Sequence, residues 1–384
     1  MSDRMTHTVE TRNLLSSSFG THKVKVHRFG NPGARPKVYI QAALHADEYP
    51  GLLVAHHLIA LLTALDMQGE IKGEVIVVPV SNPIGLGQRI NAQHLGRFDL
   101  AGGGNFNRNW PDLSEVVQNT VEHELTEDPD FNAQIIRNAL IQAVSSLAVG
   151  NELDDLRKTL LLSSIDSDVV LDLHCDYQAL FHLYSSIHHK ALAHELGCDL
   201  AARAVLIETE AGGAPFDECH AGVWWRLKQR LAPEKPIPLA CFSATVELRG
   251  QQDVSDELAV QDAKALVRFM QRQQVIAGEP GPLPEPLCEP TPLEATDIVH
   301  APSAGVVVYH KTLGDRVEKG EVVAELIDPT AESNDQARTL LISRTSGLFL
   351  TRMTERLVAP GASLIKICGE QPLEHRESGK LLEA

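Results

Sequence analysis

His45 and Glu48 stand three residues apart in Leu44-His-Ala-Asp-Glu-Tyr-Pro-Gly, and His174 directly follows the run Val169-Val-Leu-Asp-Leu. An imidazole and a carboxylate at this spacing can turn toward one ion, and both suit zinc. Three protein ligands of the His2Glu kind leave the fourth position of a tetrahedral ion for water, as metal-assisted hydrolysis requires. Each residue alone also has a plainer reading. A strand-end histidine is usually just solvated or hydrogen-bonded, the chain has 17 histidines, and a lone His-x-x-Glu pair arises by chance. The pattern is not His-Glu-x-x-His, where one helix carries both histidines; the third ligand here comes from a distant strand.

The elements that must position these side chains can be read from periodicity. Val38 to Leu44 is an apolar run that reads as a buried strand, and a helical pattern (Leu52, Leu53, Ala55, Leu58, Ile59, Leu62) starts after Pro50-Gly51. Strand, polar loop and helix place His45 and Glu48 at the carboxyl edge of an open α/β sheet, where ligands bind. Val75 to Val80, Val169 to Leu173 and residues 239–248, which carry Glu247, read as further buried strands. Val24 and Val26 alternate with polar residues in an edge strand, residues 179–209 suggest a strand and a helix, and 255–275 a closing helix. Residues 88–112 are irregular and rich in Gly, Asn and Arg; a long polar loop within a compact domain is more often functional than not. Residues 113–165 read as one or two charged surface helices.

Composition then changes. Six prolines between Pro280 and Pro292 mark a stiff linker, since they exclude a helix or a central strand. Residues 298–370 read as short strands between glycine turns, and they repeat: Ser303-Ala-Gly-Val-Val-Val resembles Thr345-Ser-Gly-Leu-Phe-Leu, and Arg316-Val-Glu-Lys-Gly resembles Arg356-Leu-Val-Ala-Pro-Gly. Two related halves suggest a small β-barrel or sandwich. The expected domains are therefore a hydrolase unit over 1–276, a proline-rich linker over 277–297 and a C-terminal β domain over 298–384.

With 384 residues, 43% of them hydrophobic and 22% charged, the chain has the composition of a globular protein of more than one domain. A formal net charge of −17 argues against nucleic acid or an anionic membrane as partner, but not against a small anionic substrate in a locally basic pocket. The opening residues lack the apolar core of a signal peptide, and no apolar run reaches the length of a membrane span. Six scattered cysteines without Cys-x-x-Cys indicate neither a disulfide framework nor a thiolate zinc site. A cytoplasmic protein is expected, with homo-oligomerisation left open.

His45-Ala-Asp-Glu48, Asn105-Phe-Asn-Arg108-Asn-Trp-Pro, Asp172-Leu-His174 and Glu247 together resemble the motifs of the succinylglutamate desuccinylase/aspartoacylase family, a branch of the zinc carboxypeptidase-like hydrolases of M14 type. The resemblance spans most of residues 37–250. It implies an α/β fold with a carboxypeptidase-like mixed sheet and flanking helices, and one zinc per chain held by His45, Glu48 and His174. It also implies that Glu247 is the general base toward the zinc-activated water and the proton donor to the leaving amine. Asn107 and Arg108 would hold the substrate carboxylate, and Arg97 would polarise the scissile carbonyl. Plainer readings pair Glu247 with Arg249, and Arg97 with Asp99 or Asp112.

Two positions depart from the family pattern: Ala46 where glycine is frequent, and Cys175-Asp176 after His174 where a small residue and glycine are common. Cys175 reads as buried packing rather than a nucleophile, and Trp224-Trp225 as packing too. The C-terminal segment resembles a biotinyl/lipoyl-like barrel, but Asp328 to Arg338 has no lysine to modify, which favours a structural or lid role. The expected function is zinc-dependent hydrolysis of a small N-acyl amino acid bearing a carboxylate. The alternatives are a metallocarboxypeptidase and, last, a non-catalytic metal-binding protein.

Overall fold

A computed structural model describes residues 6–15 and 20–381; residues 1–5, where no leader was expected, lie outside them. All six residues of the strand Lys37–Ala42 are buried, as are all but the last of Val169–Asp176. Strands covered on both faces read as unbroken apolar runs, and these two lie at the middle of a nine-stranded mixed sheet. Its spatial order is Thr8–Asn13, Lys23–Gly30, Glu74–Val78, Lys37–Ala42, Val169–Asp176, Phe242–Gly250, His182–Ser186, Ala204–Glu208 and Pro290–Pro292. The four strands from Glu74–Val78 to Phe242–Gly250 run parallel, so their carboxyl ends share one edge. His182–Ser186 runs antiparallel to Phe242–Gly250.

Each face of the sheet is covered by helices. Pro50–Met67, Lys190–Asp199 and Asp256–Arg272 pack on one side through Val54, Leu58, Leu196, Leu266 and Phe269. Gly51 lets the first of these approach closely: a Cβ there would lie 3.1 Å from both the Ala42 Cβ and the Leu173 carbonyl oxygen. Pro50–Met67 is long and apolar enough to cross a membrane, contrary to the reading of the sequence, but its Val54, Leu58 and Leu62 pack in the core.

The opposite face carries Ser114–Val121, Pro129–Ser145, Glu152–Ser164 and Phe216–Leu231. Residues 113–165 thus form three helices rather than one or two. They are not mere surface helices, because Val117, Ile136, Leu140, Leu156 and Leu160 form a continuous apolar layer with Trp224 and Phe216. Most of their charges sit on the outward face, with Arg137 and Glu152 buried as exceptions, and the stripe beneath is a helix-period pattern.

The proline-rich stretch ends in Pro290–Pro292, the edge strand beside Ala204–Glu208 and a position where proline is tolerated. Beyond it the chain forms small sheets. The internal repeat shows in their pairing: Arg316–Val317 pairs with Gly347 and Leu348, and Leu357–Val358 pairs with Gly305 and Val306. Each half lends its short strand to the other. Gln178–Ala179 pairs with Thr351 and Arg352, tying these sheets to the segment just beyond His174.

Candidate metal centre and substrate cavity

The chain leaves the strand Lys37–Ala42 through Ala43, whose φ of 59° turns it out of the sheet, and Glu48 N–H then closes a tight turn onto the His45 carbonyl at 3.1 Å. Ala46 donates its N–H to the Gly96 carbonyl at 3.0 Å. A Cβ on Gly96 would meet the Asp47 nitrogen at 2.3 Å, so glycine at 96 is what lets the Arg97 loop lie against the His45 turn. His174 arrives on the neighbouring strand. The result is that His45, Glu48 and His174, all buried, offer donor atoms within 4.8 Å of one another.

Glu48 is the hub. Its Oε1 lies 2.9 Å from His45 Nδ1, and its Oε2 lies 2.8 Å from His174 Nδ1 and accepts the Cys175 N–H at 3.0 Å. The far nitrogens of both rings are held from behind. His45 Nε2 is 2.8 Å from Asn105 Oδ1, and that oxygen also accepts the Asn107 N–H at 2.8 Å, which fixes the orientation of the Asn105 amide. His174 Nε2 is 2.8 Å from Asp172 Oδ2, while Asp172 Oδ1 accepts from Gln41 Nε2 at 3.0 Å.

This arrangement fits a bound divalent cation. Burial, then the nearby Arg97 guanidinium, pull the His45 pKa down to about 4, so the ring is neutral at pH 7. Its one proton is needed at Nε2 by Asn105 Oδ1, which leaves the Nδ1 lone pair facing a carboxylate oxygen. Arg97 Nη1, 3.2 Å from His45 Nδ1 and 3.1 Å from Glu48 Oε1, donates to both acceptors, which marks this corner as one that takes positive charge. At His174, burial works against the charged form, but Asp172 and Glu48 outweigh it and raise the pKa well above the usual value. The two carboxylates thus concentrate negative charge where a cation would sit. A ligating histidine whose other nitrogen meets a carboxylate or carbonyl oxygen is the usual outer support of metal sites.

Glu247 lies beside His174 in register on the strand Phe242–Gly250, just before a bulge that runs to Gly250. Its Oε2 is buried without a hydrogen-bond partner, and burial followed by the Glu48 charge raises its pKa to about 8. The pairing with Arg249 does not form: Arg249 binds Asp262 instead. Arg97 likewise does not bind Asp99 or Asp112 but reaches Glu48 Oε1 at 3.1 Å and His45 Nδ1 at 3.2 Å. Cys175 is buried, and burial together with Glu48 drives its thiol pKa far up, so it is no nucleophile. Trp224 is core, while Trp225 stacks on His188 outside the cavity.

A cavity of about 650 Å³ opens over these groups, lined by His45, Glu48, Arg97, Asn107, Arg108 and Glu247 among others. Asn107 Oδ1 accepts the Phe216 N–H at 2.8 Å and Arg108 Nη1 donates to the Asn107 carbonyl at 2.8 Å, so helix Phe216–Leu231 and the arginine loop brace each other. From behind, Arg157 of helix Glu152–Ser164 donates to the Arg108 carbonyl at 2.8 Å. The 113–165 segment therefore supports the loop that carries Asn107 and Arg108.

Three contributors had no assigned role in the sequence reading. Asp172 could have been found there, since residues two apart on a strand share a face, which puts Asp172 and His174 together. Asn105 lies in the quoted motif but gave no sign of its contact with His45. Lys366 gave no signal. It comes from the strand Ser363–Gly369, 190 positions beyond Asp176, and its Nζ reaches Asp176 Oδ2 at 2.7 Å inside the cavity. Ile298, Arg352 and Met353 line the same wall.

Residues 34–147 match the family model for the succinylglutamate desuccinylase/aspartoacylase catalytic domain. The family resemblance holds. That match includes His45, Glu48, Arg97, Asn107 and Arg108; His174 and Glu247 lie beyond it. An N-alpha-acetyl-L-2,4-diaminobutyric acid deacetylase of Halomonas elongata is 26% identical over 301 residues, 78% of this chain and 72% of that protein. Among solved structures, a protein of Shewanella amazonensis assigned to the family superposes with a TM-score of 0.81 at 25% identity, covering 94% of this chain and 98% of the other. One from Shewanella frigidimarina gives 0.84 at 23% identity, covering 97% and 100%. The mixed α/β fold is thus the fold of those family structures.

Proposed function

We propose that this chain is a zinc-dependent deacylase that cleaves the amide bond of a small N-acyl amino acid. The observation that carries the reading is the convergence of buried His45, Glu48 and His174, whose donor atoms lie within 4.8 Å of one another, with the unpaired Glu247 Oε2 on the residue beside His174. Two imidazoles and a carboxylate suit zinc. A zinc ion held by His45, Glu48 and His174 would supply Lewis acidity, making a water nucleophilic near neutral pH and polarising the scissile carbonyl.

The remaining work falls to the chain's own groups. Glu247, in register beside His174 and with an oxygen that has no hydrogen-bond partner, takes a proton from the attacking water and returns it to the amide nitrogen as the C–N bond breaks. Arg97 supports charge developing on the carbonyl oxygen from its place beside Glu48. Asn107 and Arg108 orient the substrate carboxylate in the same cavity. The strands after residue 296 wall the cavity with Ile298, Arg352 and Lys366, which supports a small substrate over a long peptide. The deacetylase relative supports amide hydrolysis of the same kind.

The test is a comparison on the zinc-reconstituted protein of acetyl and succinyl amino acids with carboxypeptidase peptides, following release of free amine. The expected result is turnover of N-acyl amino acids with a kcat/KM at least ~10-fold above any peptide, equivalent to about 1.4 kcal/mol. Preferential release of C-terminal residues from peptides would replace this reading with a metallocarboxypeptidase.

A further inference from the structure

The loop 209–215 joins the strand Ala204–Glu208 to helix Phe216–Leu231, and its backbone is unusual. Gly212, Gly213 and Ala214 are consecutive and all left-handed, with φ of 91°, 70° and 46°. Asn109, which bonds to this loop, is left-handed too, with φ of 59°. A residue with a side chain is held in this region by its surroundings, because the conformation is disfavoured on its own. What holds the loop therefore matters to whatever rests on it.

Two sets of contacts do so. The first comes from the arginine loop: the Asn109 and Trp110 N–H groups donate to the Gly213 and Ala214 carbonyls, each at 2.9 Å. A Cβ on Gly213 would lie 2.8 Å from Arg108 Cδ, so the arginine stem rests on this backbone. The second comes from the last described residues. Gly379 donates its N–H to the Glu210 carbonyl at 2.8 Å, and Leu381 donates to the Ala211 carbonyl at 2.7 Å. A Cβ on Gly212 would collide with the Gly379 carbonyl oxygen, so the two backbones touch. Leu381, 1% exposed, packs with Ala211, Leu293 and Leu350, and Arg376 Nη2 donates to its carbonyl at 3.0 Å. Two backbone bonds make a short contact, and the buried Leu381 side chain is its apolar anchor. Arg108, Ala211 and Leu381 all line the substrate cavity.

We propose that residues 376–381 are a positioning strap for Arg108. Anchored by Leu381, the strap holds the loop 209–215 in its left-handed form, and that loop fixes the arginine that takes the substrate carboxylate. This rests on the reading of Arg108 as the carboxylate-binding group. No part of the strap moves protons or belongs to the His45, Glu48 and His174 donor set. Loosening it therefore weakens recognition of the carboxylate and leaves the hydrolytic step intact.

The experiment uses the full chain with Leu381→Asp, Leu381→Ala and Leu381→Met, and with Arg108→Gln alone and combined with Leu381→Ala. Hydrogen–deuterium exchange follows the Asn109 and Trp110 amides without substrate. Kinetics on the zinc-reconstituted protein compare the N-acyl amino acid hydrolysed fastest with its carboxamide. Wild type is expected to prefer the carboxylate by about 100-fold in kcat/KM, the scale of a buried charge pair. In Leu381→Asp and Leu381→Ala the two amides are expected to exchange at least ~10-fold faster, as in a locally opened segment. The preference is expected to fall below ~10-fold through KM, with carboxamide turnover within ~3-fold of wild type. Leu381→Met, which refills the apolar site, restores both. In the Arg108→Gln background Leu381→Ala causes no further loss of preference. Leu381→Ala carries the test should Leu381→Asp not fold. Unchanged exchange at Asn109 and Trp110 overturns the strap, as does an equal loss of turnover on carboxylate and carboxamide, the mark of a merely structural part. If Arg108→Gln keeps the preference, or nothing is hydrolysed, the reading of Arg108 or of the deacylase fails instead. The strap as support of the arginine loop then stands if exchange is faster and falls if it is not.

Discussion

Asp172→Asn is the perturbation that most sharply separates a metal centre from an ordinary buried hydrogen-bond network. Asp172 has no solvent exposure, and its two oxygens serve two partners: Oδ2 meets His174 Nε2 at 2.8 Å and Oδ1 accepts from Gln41 Nε2 at 3.0 Å. Gln41 is itself fixed by the Tyr39 hydroxyl at 2.8 Å. An asparagine of the same shape presents one acceptor and one donor, so it can keep the His174 contact only as a neutral bond. Exchanging a charge-assisted bond worth roughly 1.5–3 kcal/mol for one worth about 1 kcal/mol sets a loss of about 0.5–2 kcal/mol on the His174 side. Loss of such an outer support lowers metal affinity about 10- to 100-fold. The assay is a zinc titration against a competing chelator, with the melting of the metal-free protein as a control for folding. The expected result is a variant that still folds but binds zinc 10- to 100-fold more weakly. Zinc affinity within about threefold of wild type, a difference under ~0.7 kcal/mol, would refute the role given to Asp172 and with it the orientation of His174.

Other expectations follow from the same geometry. Glu247→Gln should lower kcat by about 10²–10⁴-fold while zinc affinity changes only a few-fold, because Glu247 moves protons without being a ligand; steady-state kinetics with chelator titration reads both. Lys366→Met strips Asp176 of its partner at the cavity wall and should destabilise the protein by about 1–3 kcal/mol after allowing for partial solvent screening, as measured by urea unfolding. Most of that loss should return in the Lys366→Met/Asp176→Asn double variant. His220, held by Ser164 Oγ and the Phe216 carbonyl, is buried, and burial lowers its pKa to about 4. A base depressed in the folded state contributes stability above its unfolded value near 6.5 that is lost as pH falls toward 4. Urea unfolding at pH 7.5 and 4.5 should therefore show a loss of about 3 kcal/mol from this group, absent in His220→Gln.

What could be read from the sequence was what local periodicity and short spacing encode. Val38 to Leu44 and Val169 to Leu173 announce themselves because strands buried on both faces are mostly apolar, and their polar residues, Gln41 and Asp172, bind each other. His45, Glu48 and His174 stand at the ends of those runs, so their convergence needed only the parallel order of the sheet. The helix Phe216–Leu231 was read only as far as its tryptophans, since Asp217, Glu218, His220 and Arg226 break its apolar stripe. Asp217 lines the cavity, Glu218 accepts the Ala211 N–H, His220 meets Ser164 Oγ, and Arg226 pairs with Asp112 and Glu210. Helices 114–164 looked like surface because their charge is dense, though their inward stripe is core. Lys366 could not be found at all: nothing local ties it to Asp176, and its sheet is brought to the cavity by tertiary contacts such as the pairing of Gln178–Ala179 with Thr351 and Arg352.

Elemental analysis of the purified protein beside Glu48→Ala tests the central claim most directly. Glu48 bridges both histidines and its removal deletes the hub of the donor set. The expected result is about one zinc per wild-type chain, none in the variant, and amide hydrolysis that disappears on chelation and returns with zinc. Wild-type protein that holds no metal and takes up none when zinc is added would contradict the account.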